Sequence, residues 1–206
     1  MKILFCKISW MKYYKGVQAG LDEPKNGGSY VKEHGEGHEC FNFEAVLDPD
    51  GTEWCLGFVE TKETRANKRN ELHFEKIDGC ELLKNEPFVD DVLVVWCATG
   101  DRDTSVVGWY NNATVFRRYE ELEFDNGYIQ SYNVLARKED CVLLPWTDRT
   151  ERKWETRVAK KHGFGFGQSM VWYAKEEKAQ PYLKKLVDDI LSYNGENWID
   201  RSVFSK

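Results

Sequence analysis

In Asp91-Val92-Leu93-Val94-Val95-Trp96-Cys97-Ala98, apolar residues follow an acid without interruption, and turn residues close the run on its far side. A stretch this long and this rich in β-branched residues predicts a central strand buried on both faces. Thr99-Gly100-Asp101-Arg102-Asp103 reads as a turn. Beyond it, Val106-Val107-Gly108-Trp109-Tyr110 and Ala113-Thr114-Val115-Phe116-Arg117 read as two strands, or as one strand broken at Asn111-Asn112.

Working outward, Ile3 to Ser9 reads as a strand, and Tyr13 to Gly28 as a long polar loop. Phe41 to Val46 alternates, Asp48-Pro49-Asp50-Gly51 turns, and Trp54 to Val59 returns, which predicts a hairpin. Residues 60–71 are dense in charge and read as a solvated loop, and Leu72 to Ile77 as another strand. Tyr128 to Ala136 and Val142 to Pro145 complete the set. Short strands with turns at this spacing favour a small curled β-barrel. At the C-terminal end, apolar residues at 179, 182, 183, 186, 187, 190 and 191 have helical spacing. A helix over about 175–193 is expected, with Pro181 in its first turn and Asn194-Gly195 as its stop. The expected fold is α+β: one domain over 1–206, a β-barrel with the C-terminal helix packed on it.

Composition narrows the function classes. The chain has 206 residues, 41% hydrophobic and 31% charged, as in ordinary globular proteins. No apolar run approaches the length of a membrane span. The start, Met1-Lys2-Ile3-Leu4-Phe5-Cys6-Lys7, is too short in apolar residues for a signal-peptide core. Cys6, Cys40, Cys55, Cys80, Cys97 and Cys141 include no C-x-x-C pair, which fits neither a zinc ribbon nor a disulfide scaffold. Reduced thiols and a cytoplasmic location are expected, with no membrane contact. A net charge of −6 argues against coating nucleic acid by bulk charge.

Four groupings bear on chemistry. His34-Gly35-Glu36-Gly37-His38-Glu39 has two histidines at metal-ligand spacing, but the glycines between them make a helix improbable. Neither a G-x-S-x-G, a P-loop nor a dinucleotide fingerprint is present, and Gly163-Phe164-Gly165-Phe166-Gly167 does not match the last. Residues 148–168 hold six Lys or Arg against three acids, in a chain whose total is negative, together with Trp154, Phe164 and Phe166. Such a segment can follow a phosphate backbone, because cations neutralise charge and rings stack on bases. Lastly, Trp10, Trp109, Tyr110 and Trp172 fall near strand or helix ends and are candidate walls for a flat ring. Asn111, Asn112 and Gln168 are candidates to read its edge. Trp109 and Tyr110 are adjacent, so a strand sends them to opposite faces.

Several of these stretches resemble a group of bacterial modules sometimes fused to HNH-type nuclease domains. They are Ile8-Ser9-Trp10-Met11-Lys12-Tyr13-Tyr14, Asn26-Gly27-Gly28-Ser29-Tyr30-Val31, Val92 to Trp96, Val107-Gly108-Trp109-Tyr110-Asn111-Asn112-Ala113-Thr114-Val115-Phe116-Arg117, Leu143-Leu144-Pro145, and Gly165-Phe166-Gly167-Gln168-Ser169 with Trp172-Tyr173. The order of buried strand, turn and Val-Val-Gly-Trp-Tyr strand is similar to the central hairpin of PUA-superfamily barrels such as EVE and YTH domains. The chain has no HNH motif. The resemblance implies a reader of a modified base, in DNA more than RNA, in a restriction or defence setting with a nuclease partner. Arg117, Arg118, Lys160 and Lys161 would contact phosphate, and no cofactor, metal or catalytic residue is implied. The alternatives are a non-catalytic module for a protein or small ligand, and a metal-dependent hydrolase or nuclease using His34, His38 and Glu39.

Overall fold

A computed structural model describes residues 1–26, 37–61, 71–101 and 103–204, with the backbone of 63–64 and 68–69. The strands are β1 (Ile3–Ile8), β2 (Ala45–Leu47), β3 (Glu53–Gly57), β4 (Glu63–Thr64), β5 (Lys68–Arg69), β6 (Phe88–Thr99), β7 (Thr104–Glu123), β8 (Ile129–Arg137), β9 (Cys141–Leu143) and β10 (Val171–Trp172). Two α-helices follow β9 in the chain, α1 (Ala159–His162) and α2 (Gln180–Leu191). The main sheet runs β10-β1-β6-β7-β8-β3-β2, and β9 pairs with β7. β4 and β5 form a separate two-stranded pair.

β6 is central, as its apolar run predicts. It pairs in parallel with β1 and antiparallel with β7. Its side chains alternate between two cores. Val92, Val94, Trp96 and Ala98 join Leu4, Cys6, Ile8 and Tyr110 under a cover of loops, including Met11, Tyr14 and Phe43. Leu93, Val95 and Cys97 join Phe5, Trp109, Trp154 and Trp172 under Leu183, Leu186 and Ile190 of α2. Burial on both faces is what a continuous apolar run requires.

β7 is one strand, unbroken at Asn111-Asn112. Val92 pairs with Ala113 and Val94 with Tyr110, so β7 carries the extra residue of a bulge there, and Asn112 sits at φ +48. Asparagine tolerates that left-handed geometry better than most residues. The bulge lets Tyr110 and Ala113 both enter the loop-covered core.

The structure corrects five expectations, the first being that residues 60–71, read as a loop, carry the paired β4 and β5. The ladder is open: among the described residues it ends at β10 and β2, so the backbone forms a mostly β sheet with a C-terminal helix and no closed barrel. Those edge strands have two and three residues, too few to close a ring. Leu72 to Ile77 is not a strand; Phe74–Lys76 is a 3-10 turn. Phe41 belongs to a 3-10 turn, His38–Phe41, and not to the hairpin. The C-terminal helix is shorter than expected, with Pro181 in its first turn and Ser192 as its cap. The Ser192 hydroxyl donates to the Asp188 carbonyl at 2.6 Å, which ends the helix before Asn194-Gly195. No described helix is long and apolar enough to cross a membrane.

Candidate functional site

Where β1 ends, the chain leaves the sheet through buried surroundings, and its peptide groups need partners. Trp10 and Lys25 exchange two backbone hydrogen bonds at 2.8 and 3.0 Å. The Ser9 N–H donates to Glu39 Oε1 at 3.0 Å, and the Tyr14 hydroxyl donates to the Ser9 carbonyl at 2.8 Å. The next peptide units are held from both sides by buried charges. Asp22 accepts the N–H groups of Lys12 and Tyr13 at 2.7 and 2.8 Å. Arg149 donates to the carbonyls of Met11 and Lys12 at 2.7 and 2.8 Å, and twice to that of Leu144 at 2.9 and 2.8 Å.

Arg149 is fully buried. Burial lowers its pKa to about 10, so the guanidinium stays charged at neutral pH. Its Cζ lies 5.7 Å from the centroid of the Trp146 ring, 5.9 Å from that of Tyr14 and 6.0 Å from that of Trp10. These distances are within cation–π range. Trp146 is half-buried and leans on Trp10, with centroids 5.1 Å apart and planes at 57°. Gly100 passes close behind: a Cβ there would stand 3.3 Å from the Trp10 indole.

The turn His38–Phe41 ties this corner to the far strands. His38 Nδ1 accepts the Ser131 N–H at 3.3 Å, which places the ring proton on Nε2. Burial holds the His38 pKa below its ordinary value and the Glu39 pKa above its own. Asn42 then holds both the N–H and carbonyl of Phe58, at 2.8 and 3.1 Å, and Asn133 does the same for Val59, at 3.0 and 2.9 Å. Side-chain amides thus supply the pairing that β3 lacks past Gly57. Rings of His38, Phe58 and Tyr119 follow one another at 5.3 and 5.0 Å.

The four expected ring walls are not brought together. Trp10 and Tyr110 lie in the loop-covered core, Trp109 and Trp172 in the helix-covered one. Tyr110 is fully buried against Phe43 and Trp96. Trp109, 1% exposed, stacks on Trp154. Trp172 packs on Phe5 at 4.6 Å and donates its indole N–H to Glu176 at 2.8 Å. The sheet itself separates them, because neighbouring strand residues project to opposite faces. The edge-reading amides do not converge either. Asn111 is half-buried, Asn112 is exposed and donates to Asp140 at 3.0 Å, and Gln168 is exposed on the segment before β10, three strands from β7.

The expected phosphate contacts are mostly engaged within the chain. Arg117 donates to the carbonyls of Glu86, Leu72 and Leu83 and to Glu75 Oε2, and covers the Phe74 ring at 4.2 Å. It is a structural clasp. Arg118 pairs with Glu71 at 2.8 Å, and Lys161 with Asp103 and Glu155 at 3.0 and 2.9 Å. Lys160 is exposed. His34, the Gly27–Val31 part of the matching motif, and Arg102 lie outside the described residues. Among the described residues, no three His, Cys, Asp or Glu side chains group as metal ligands would.

Trp146, Arg149, Asn42 and Asn133 escape a reading of the sequence. None repeats at a helical or strand period, and the single cue is the turn-forming Pro145 before Trp146. No protein-family model, no curated protein and no solved structure matches this chain.

Proposed function

We propose that this chain is a binding module that reads a base in nucleic acid, DNA before RNA, with its ligand seated against Trp146, the half-buried indole that leans on the buried Trp10. The carrying observation is that indole pair, backed by the buried Arg149 guanidinium. A π-face stacks on any base for about 1–3 kcal/mol. That offsets the few kcal/mol needed to unstack one. On this reading the curled sheet is of the PUA type, as in EVE or YTH domains, with the turn His38–Phe41 linking the end of β1 to β8 through the Glu39–Ser9 and His38–Ser131 contacts. A modified base and a nuclease partner in a defence setting follow from the resemblance of the motifs.

The test is binding to duplexes with and without cytosine or adenine modification, at stated salt, for wild type and Trp146→Ala. The reading expects a preference among the duplexes that Trp146→Ala abolishes. Equal failure on all of them, single strands included, overturns it.

A second reading has its own observation. Glu120, Glu121, Glu123 and Asp125 are exposed on the β7–β8 hairpin, which extends past β3 and β6. Such a surface suits a basic protein segment. A partner that stays bound at low salt and leaves at high salt, with no nucleic-acid binding, favours it.

A further inference from the structure

We infer that Arg149 is the positioning residue of the Trp10–Trp146 pair; this rests on the reading above only for what the pair binds. A guanidinium is costly to bury, and here no carboxylate touches it among the described residues. Its donors go to carbonyls on two separate stretches. Met11 and Lys12 directly follow Trp10, and Leu144 lies two residues before Trp146. One rigid fork therefore fixes the spacing of the two backbones that carry the two indoles. The planar guanidinium has the geometry for this, whereas a lysine ammonium presents one point of contact.

Asp22 completes the arrangement from the other side. The Lys12 peptide gives its N–H to Asp22 and its carbonyl to Arg149, so it lies between opposite charges that do not touch each other. Both charges are buried, which strengthens each bond relative to water. The segment after Trp10 is thereby set by electrostatics and not by strand pairing.

The experiment compares wild type, Arg149→Lys and Trp146→Phe. Two indoles at 5.1 Å couple in the near-ultraviolet circular dichroism spectrum, and that signal needs no ligand. Trp146→Phe removes it and defines its shape. Arg149→Lys is expected to keep the far-ultraviolet spectrum, lose the same component, and weaken binding of a fluorescent oligonucleotide at least tenfold. Retention of the coupled signal in folded Arg149→Lys overturns the inference. Should that variant fail to fold, Asp22→Asn loosens the same segment from its other side and must give the same spectral loss; an unchanged spectrum there overturns it too. If wild type binds no oligonucleotide while the spectral result holds, the base-reading proposal fails and the positioning role stands.

Discussion

Trp109 stacks on Trp154, with ring centroids 5.5 Å apart and planes 29° from parallel, and Tyr193 closes the edge of both. The indole that the sequence offers as a ligand wall is therefore a core member, held between the sheet and the segment that precedes α1. Its neighbour Tyr110 is equally buried on the other side of the sheet. Both rings of that adjacent pair therefore maintain the fold, one in each core.

Trp109→Ala should destabilise the protein by about 3–5 kcal/mol, the range for removing a large aromatic from a packed core. Urea unfolding followed at several wavelengths measures this. A loss under 1 kcal/mol would mean that the Trp109–Trp154 stack is not part of the packed core.

Arg117→Ala should cost about 1–3 kcal/mol, since a charged donor to four acceptors, three of them in partly buried bonds, is lost. The salt dependence of any nucleic-acid binding should not change, because Arg117 is spent on Glu75 and three carbonyls. A shallower salt slope in this variant would return Arg117 to the phosphate contacts.

Gly108→Ala should be poorly tolerated. An added Cβ would stand 2.3 Å from the Val142 carbonyl oxygen and 2.7 Å from the Phe43 ring. Both neighbours are fixed, one by the β7–β9 ladder and one by the loop-covered core. Overpacking of this kind costs about 1–3 kcal/mol or more. Thermal unfolding of the variant against Gly167→Ala, whose added Cβ meets nothing within 4 Å, tests whether the close approach is the cause: equal losses would rule it out.

His38 should make stability depend on pH. Burial holds its folded pKa below the ordinary 6.5. As pH falls, the unfolded chain takes up the proton first, so the contribution of neutral His38 is full above 6.5 and drains away below it, toward the folded pKa. Glu39 shifts in the opposite direction and contributes most at low pH. Comparing wild type with His38→Gln across pH 5 to 8 isolates the histidine: the difference in unfolding free energy should shrink as pH drops through 6.5. A difference that is flat with pH would contradict the Ser131 N–H to Nδ1 bond.

The strands that carry strong local signals were legible in the sequence. Val92 to Ala98 announces a two-faced central strand because every residue is apolar, and Asp48 to Gly51 announces a turn by its composition. The spacing of Leu183, Leu186 and Ile190 marks a helix with one buried stripe. Leu72 to Ile77 misled because its alternation serves a 3-10 turn, whose Phe74 lies beneath the Arg117 clasp. The joining of Asn111 and Asn112 into one strand was left open, since a bulge depends on what the partner strand does.

The site was far less legible. Trp10 was visible as a ring at a strand end, but its partner Trp146 lies far along the chain, and Arg149 reads as one of six cations in a basic stretch. Burial of that one arginine, and the pairing of Lys161 with Asp103 outside the stretch, reduce the local charge excess.

By itself, the sequence determined the longer strands, that β6 is covered on both sides, and that one amphipathic helix lies near the C-terminal end. These follow from local periodicity, which each segment carries in its own residues. Only the tertiary structure decided which aromatic rings are core, which cations are spent internally, and that Trp10 meets Trp146 over Arg149. Those facts depend on contacts between separate stretches of chain, 138 positions apart for Arg149 and Met11, and on which face of the sheet each side chain leaves. No local pattern encodes either one.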